Sequence, residues 1–353
     1  MRSLTEEDSK RITSLRFLLI VFVVFIHNNL NADNAINYYH LAFNEPAVIT
    51  WFKFLVTSVL GGAAVPLFFL FAGYLQFCKQ DSYPVLLKKR AKSLLVPYVA
   101  WTVITVALFF IAQSVPQLSA FFQNENNIVR NWNFTDWISL FWVHNEVYPL
   151  VYQFWFLRNL IVLVLFSPIL VLLARKLPFL VIVGISLCFL YGIPLGFGTA
   201  LFFYMAGFFF AEYDISFFKI ADKIKWVEFG ILFLAILIFN IAFAEKIQFY
   251  GINTLISCLF FLKLSAIIVS KEKLFAVSHY LAGFSFFLYA IHTPFLGTSL
   301  NKLSFQIIPL HGAWCLVQFI VPCVLCIAIG TGIGIALKKI LPPVFAILNG
   351  SRK

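Results

Sequence analysis

The chain has 353 residues, of which 61% are hydrophobic and 12% are charged, and its mean hydropathy is +0.92. Soluble domains average ~45–50% apolar and ~25% charged residues, so this composition excludes an ordinary soluble protein and indicates a polytopic membrane protein. The net charge of +11 comes with neither a basic soluble domain nor a base-stacking motif, which excludes a nucleic-acid-binding protein.

Apolar stretches close to the ~20 residues that cross a bilayer core predict about ten transmembrane helices. The predicted spans are Arg11–Asn31, Val56–Phe77, Leu94–Gln113, Tyr152–Ala174, Phe179–Ile193, Phe197–Glu212, Trp226–Ala244, Tyr250–Val269, Tyr280–Leu300 and Trp314–Leu337. The fifth and sixth spans are short runs separated by a tight turn rich in glycine. We therefore predict an all-α polytopic fold in which a single integral-membrane domain fills residues 1–353.

Lysine and arginine set the predicted orientation, because short basic loops stay on the cytoplasmic side. Basic residues gather beside the first span, before the third, after the fourth and in later alternate loops, namely Arg2, Lys10, Arg11, Lys88, Lys89, Arg90, Lys92, Arg175, Lys176, Lys219, Lys223, Lys225, Lys271, Lys273, Lys338 and Lys339. The opposite loops carry little positive charge. Both termini are therefore expected in the cytoplasm.

The six cysteines lie in or beside apolar spans. Cys323 and Cys326 share a helix face, but no second cysteine or histidine pair accompanies them at metal-binding spacing. We expect neither a metal site nor a disulfide framework.

Few ionisable side chains lie inside the predicted spans, and an intramembrane charge usually marks a functional site because it costs at least ~2.5–3.5 kcal/mol. Arg16 and His27 lie eleven residues apart in the first span, which places them on roughly one helix face and about 16 Å apart along the axis. Arg158 lies near the outer end of the fourth span, and His292 in the outer half of the ninth. Snorkelling at the interface is the alternative for Arg158, and a satisfied core imidazole is the alternative for His292.

The longest segment outside the spans, residues 114–151, is predicted on the outer side. It carries Trp132, Trp137 and Trp142. Flat side chains with a polar edge suit either a sugar-stacking surface or an aromatic belt at the membrane interface.

Five segments carry a resemblance to a known family. They are Arg16–His27, Pro66–Tyr74, Lys89–Tyr98, Trp155–Arg158 and Ser285–Pro294. In order and spacing they resemble the motifs of integral-membrane acyltransferase family 3, whose first helix carries a basic residue and a histidine separated by ten positions. The chain departs from the family at two positions, with Ala72 where a serine is frequent and Lys92 where a second arginine is common.

The resemblance implies transfer of an acyl group, usually acetyl, from cytoplasmic acyl-CoA (acetyl-CoA) to a hydroxyl of an envelope glycan or lipid-linked sugar, in a bacterial inner membrane. An imidazole suits such a reaction, since a sugar hydroxyl needs a base to take its proton. His27 is the expected general base, and an acyl-histidine intermediate is the alternative. Arg158 or His292 is expected to stabilise the oxyanion or orient the acceptor. Neither an acidic partner for His27 nor the oligomeric state follows from the sequence.

Arg16 and the cluster Lys89, Arg90 and Lys92 are expected to bind the polyphosphate of the coenzyme from the cytoplasmic side. For the cluster, retention by the positive-inside rule is a sufficient alternative.

Two other classes of function stay open. A transporter or flippase for lipid-linked sugars or small anions also lines its path with buried charges, but many such proteins show paired inverted repeats, which this sequence lacks. A glycan polymerase or ligase also has ten or more helices and a long outer loop, but needs no coenzyme.

Overall fold

In the computed structural model the described residues are mainly helical. It describes residues 3–28, 43–79, 81–116, 125–144, 146–243 and 250–351. Within these ranges no strand is present, and the only β-type pairing is an isolated bridge between Asn44 and His311. The predicted all-α class is confirmed.

The helices follow the predicted spans along the chain. They are α1 (Glu6–His27), α2 (Ala47–Lys79), α3 (Tyr83–Gln113), α4 (Phe134–Ser139), α5 (Trp155–Lys176), α6 (Pro178–Tyr191), α7 (Phe197–Glu212), α8 (Phe217–Lys223), α9 (Trp226–Phe243), α10 (Tyr250–Ser270), α11 (Glu272–Ala282), α12 (Ser285–Ile291), α13 (Gly297–Phe305), α14 (Trp314–Ile340) and α15 (Pro342–Leu348). Of these, α2 and α3 begin well before their predicted N-terminal bounds.

Several helices are long and apolar enough to cross a membrane. Six candidate spans satisfy this condition in the described residues, namely Ala47–Lys79, Tyr83–Gln113, Tyr152–Lys176, Pro194–Glu212, Gly251–Ser270 and Trp314–Ile340. The pair α11 and α12, bent by 50°, is a further candidate, whereas α6 and α9 are apolar but shorter. The chain is thus a multi-pass membrane protein, and the count of ten and the orientation of the termini stay predictions.

The chain divides into two compact units. The first unit comprises Met1–Gln80 and Phe203–Ile333, and the second comprises Asp81–Phe202 and Gly334–Lys353. Each is described by itself below. The single domain over residues 1–353 stays a prediction.

Helix α1 is the central element of the first unit. It packs against α2, α10, α11 and α12. The Thr5 side chain caps its N-terminus by accepting a hydrogen bond from the Asp8 N–H. Its core side chains Leu15, Leu19 and Val24 are fully buried. The helix is continuous from Glu6 to His27, so Arg16 and His27 do occupy one helix about 16 Å apart along its axis.

Arg11 fixes the rotation of α1 about its axis. Its guanidinium is 2% exposed and binds both carboxylate oxygens of Asp222 in α8, at 2.5 and 2.9 Å. It also donates to the Ser265 hydroxyl and the Leu262 carbonyl of α10, at 2.8 and 2.7 Å. All three nitrogens of the guanidinium therefore donate a hydrogen bond. Because these contacts hold α1 against α8 and α10, they determine which way the rest of its polar stripe faces.

Two of the helical breaks lie at prolines. A π-helical turn at Ala91–Leu95 precedes Pro97, and another at His292–Leu296 contains Pro294. Proline lacks an N–H donor, and a local π turn re-pairs the backbone groups that the proline leaves free. The predicted ninth span is therefore not one straight helix: it bends after Gly283, and Thr293 takes an extended conformation within it.

Two glycines let α2 and α7 pack backbone against backbone. A Cβ on Gly73 would overlap the Tyr204 carbonyl, and a Cβ on Gly207 would overlap the Leu70 carbonyl. Small residues of this kind permit close helix approach where lipid provides no hydrophobic drive for packing.

We expect Gly73→Ala to force these two backbones apart and to destabilise the protein by about 1–3 kcal/mol or more, as overpacking does. Gly230→Ala in α9 is the matched control, because no atom lies within 4 Å of the added Cβ. Thermal unfolding in detergent measures both. Equal melting temperatures for the two variants would contradict this close packing.

We also expect Asp222→Ala to destabilise the protein by up to about 3 kcal/mol, because it removes the main counter-charge of the buried Arg11 and leaves only Glu7, at 4.0 Å. Arg11→Met should cost less, since the Asp222 side chain is 41% exposed and stays hydrated. The exposed neighbour Lys10, paired with Glu6, provides the control, and Lys10→Met should leave the unfolding curve unchanged. If Asp222→Ala unfolds like Lys10→Met, Arg11 does not anchor α1.

Candidate functional site

The first unit brings two of the predicted residues together. His27 is the last residue of α1, and His292 follows α12 directly. Their ring centroids lie 5.3 Å apart. The two imidazoles are therefore in direct contact, so one acceptor molecule that reaches one ring also lies close to the other.

The tautomer of His292 follows from its contacts. Its Nδ1 lies 2.7 Å from the Tyr289 carbonyl oxygen, which can only accept, so Nδ1 carries the proton. Its Nε2 is therefore a lone-pair acceptor, and it has no partner among the described residues. The side chain is completely buried. In this state His292 accepts a hydrogen bond from a ligand and has no proton to donate to an oxyanion.

An amide network that the sequence analysis missed continues from His27. Asn28 is 3% exposed and accepts a hydrogen bond from Asn301 of α13 at 2.9 Å. One turn further along α13, Ser304 accepts from Gln318 of α14 at 2.7 Å. Uncharged amides do not stand out from an apolar span, so only their burial and pairing identify them.

Glu45, a carboxylate described in this region, is already paired with a cation. Glu45 and Lys53 form a buried ion pair at 2.7 Å, and the Thr50 hydroxyl donates to the same carboxylate at 2.8 Å. The Lys53 ammonium also lies 5.7 Å from the ring of Phe319, which packs against Phe25 of α1. From the sequence, Glu45 and Lys53 are predicted only to lie in a loop on the outer side. The sequence does not show that they form an ion pair.

Arg16 differs from the other arginine of α1. It is partly buried, and it makes no side-chain hydrogen bond or ion pair with any residue that the structure describes. Its guanidinium is therefore available to a ligand. A cavity of about 520 Å³ lies beside the start of α1, but it is lined by three carboxylates against two basic groups, which does not suit a polyphosphate.

Arg158 belongs to the second unit and is 2% exposed. It donates to the carbonyls of Trp142, Val147 and Leu195 at 2.6, 3.2 and 3.0 Å, and to Asn159 Oδ1 at 3.0 Å. These contacts tie the segment before α5 to the segment that follows α6. Its guanidinium is therefore already engaged by protein acceptors, and both its expected role toward an oxyanion or acceptor and the snorkelling alternative stay predictions.

The basic cluster also belongs to the second unit, at the start of α3. Lys89 pairs with Asp81 at 2.6 Å, Arg90 is partly buried and Lys92 is exposed. Lys92, the residue that departs from the family pattern, thus has an exposed side chain. Coenzyme binding by these residues stays a prediction.

Hydrogen bonds and ring contacts connect side chains within the described part of residues 114–151, the segment predicted on the outer side. His144 contacts the Ser139 hydroxyl at 2.9 Å and the Asn126 carbonyl at 2.8 Å, and burial lowers its pKa from the ordinary value. Its ring also meets the face of Trp132 at 5.1 Å. Trp137 is 45% exposed, so part of the predicted aromatic surface is accessible.

Comparison with known families matches residues 9–337 to the acyltransferase domain of acyltransferase family 3. Among curated proteins, the chain is similar to the succinoglycan biosynthesis protein ExoH of Rhizobium meliloti (strain 1021), with 25% identity over 173 residues. That alignment covers 48% of this chain and 44% of ExoH, so the chain spans less than half of its relative's length. No solved structure matches. The family match includes every predicted site residue.

Proposed function

Since this chain belongs to the integral-membrane acyltransferase family 3, we propose that it transfers an acyl group, most simply acetyl, from cytoplasmic acyl-CoA to a hydroxyl of an envelope glycan or lipid-linked sugar. The observation that carries the proposal is that α1 holds both Arg16, a guanidinium without a partner among the described residues, and His27, whose imidazole lies 5.3 Å from that of His292. The name of the relative ExoH supports a polysaccharide acceptor. A bacterial inner membrane is the proposed location.

In the proposed reaction His27 acts as general base. The acceptor hydroxyl oxygen bonds to the thioester carbonyl carbon while the imidazole takes the hydroxyl proton. The tetrahedral intermediate then breaks its C–S bond, and the departing coenzyme thiolate recovers the proton from the imidazolium. An acyl-histidine intermediate is the less direct route, because it needs a second transfer step.

His292 supports the acceptor in this scheme. Its Nε2 carries a lone pair and lies in a ring 5.3 Å from that of His27, so it can accept a hydrogen bond from a second acceptor hydroxyl. Such a contact orients the acceptor and leaves the proton transfer to His27.

Arg16 is the proposed contact for the donor. A guanidinium offers paired N–H groups to phosphate oxygens, and charge-assisted hydrogen bonds of this kind are among the strongest in proteins. Between Arg16 and His27 the same helix stripe carries Ile20 and Val23, so the part of the stripe that joins the two proposed contacts is apolar. Arg90, Lys89 and Lys92 are the proposed further contacts for the polyphosphate.

Replacing the general base should remove turnover. We expect His27→Ala to lower the rate of acetyl transfer from acetyl-CoA by about 10²–10⁴-fold, with the protein still folded and inserted. The assay uses detergent-purified protein, radiolabelled acetyl-CoA and unacylated envelope glycan from cells lacking the gene. His279→Ala in α11 is the control, because that imidazole is exposed. Retained transfer by His27→Ala would exclude His27 as the base.

Replacing Arg16, the proposed contact for the acyl donor, should mainly change the KM for acetyl-CoA. We expect Arg16→Ala to raise the KM for acetyl-CoA about 10–100-fold, as the loss of a hydrogen bond to a charged group does, with a smaller effect on kcat. Arg16→Lys should recover part of the affinity, since it keeps the charge and loses the fork. The control is Lys10→Ala, an exposed cation on the same helix. An unchanged acetyl-CoA saturation curve for Arg16→Ala would instead assign Arg16 a packing role.

A further inference from the structure

Three buried acceptor atoms at the His27 end of α1 have no hydrogen-bond donor in the described parts of the chain. They are His292 Nε2, Asn301 Oδ1 and Gln318 Oε1. An acceptor buried without a donor is costly, and natural proteins keep such groups few. Three of them in one region therefore indicate a ligand that supplies donors.

The orientation of the Asn301 amide is fixed by a backbone carbonyl. The Asn28 amide nitrogen donates to the Val24 carbonyl at 2.8 Å, so the Asn28 oxygen is the atom that faces Asn301. The Asn301 nitrogen must therefore donate to it, at 2.9 Å. This leaves Asn301 Oδ1 as the free atom, and it can only accept.

The Gln318 amide is fixed in the same way. The Ser304 hydroxyl donates its proton to the Asn301 carbonyl at 2.7 Å, so its oxygen is left to accept from Gln318. The Gln318 nitrogen provides that donor at 2.7 Å. Gln318 Oε1 is consequently a second free acceptor, on a side chain that is 3% exposed.

The three atoms belong to one connected set of side chains. The His292 ring contacts the ring of His27, and Asn28 is the next residue of the chain. Asn28 binds Asn301, and Ser304 links the same helix α13 to Gln318. Phe319, adjacent to Gln318, packs on Phe25 at 5.2 Å between ring centroids. All of them therefore lie around the last turn of α1.

We propose that His292, Asn301 and Gln318 form the subsite that binds the acceptor, and that they select an uncharged polyhydroxyl compound such as a sugar ring. Neighbouring hydroxyls supply the donors that these atoms lack. A phosphate or carboxylate group has no proton to give them at neutral pH, so the subsite disfavours an anionic group at this point. This inference rests on the proposed function, because it places the acceptor beside His27.

Binding without the donor tests the subsite independently of turnover. The probe is fluorescently labelled, unacylated envelope glycan from cells lacking the gene, titrated onto detergent-purified protein in the absence of acyl-CoA. We expect Asn301→Leu and Gln318→Met each to weaken its binding at least tenfold. Gln318→Glu should bind better than Gln318→Met, because it keeps an acceptor oxygen although both lose the contact to Ser304.

Gln76→Leu in α2 is the matched control. Gln76 is an equally buried amide without a partner among the described residues, but it lies near Tyr74, whose hydroxyl binds Asp8 at the other end of α1. It should leave glycan binding unchanged. Thermal unfolding and the KM for acetyl-CoA, measured on all variants, separate loss of the subsite from loss of folding or of donor binding.

The possible outcomes distinguish a failure of the proposed subsite from a failure of the proposed acyl-transfer function. Glycan binding that is lost in Asn301→Leu and Gln318→Met but kept in Gln76→Leu supports the subsite. Unchanged binding in both variants, or no binding by the wild-type protein, overturns it and leaves the three atoms to internal water. Wild-type protein that binds glycan but transfers no acetyl from acetyl-CoA contradicts the proposed function and keeps the subsite.

Discussion

Hydrocarbon offers no hydrogen bonds, so every polar group buried in a membrane protein must find its partner within the chain or in a ligand. Helix α1 shows both solutions. Arg11 has all sides of its guanidinium occupied by α8 and α10, and it holds the helix in place. Arg16, five residues further on, has no such partner among the described residues. The same residue type on the same helix is thus an anchor at one position and an open contact at the other.

The same requirement for hydrogen-bond partners is met within the chain at Arg158. A buried arginine in a membrane span is by default a functional candidate, yet this one already has four acceptors, three of them backbone carbonyls. A guanidinium so engaged organises the chain around it, and a ligand would have to displace one of those contacts. A binding residue differs from a structural one in having hydrogen-bond donors or acceptors that the protein does not satisfy. The burial of a side chain alone does not reveal this difference.

The sequence predicts the helices well, because runs of apolar residues are sufficient to locate them. It also predicts Arg16 and His27, since two ionisable groups stand out on an apolar stripe, and it names His292 through its motif. Asn301 and Gln318 are not predicted, because neutral amides blend into a span and the partner of Asn301 lies 273 positions away. The bend after Gly283 is missed for a related reason, as glycine within an apolar run is compatible with both a straight and a broken helix.

The middle of α1, at Arg16, and its C-terminal end, at His27, differ in the charge they offer. At Arg16 the open group is a cation with N–H donors, whereas around His27 the open atoms of the described residues are neutral acceptors, and the Glu45 carboxylate is paired with Lys53. A cation suits a polyphosphate, and neutral acceptors suit the hydroxyls of a sugar. A path that carried one solute across the membrane would need compatible groups along its whole length. Opposite chemical preferences at these two positions fit the proposed reaction better, because there two different substrates approach one helix and meet at a single imidazole.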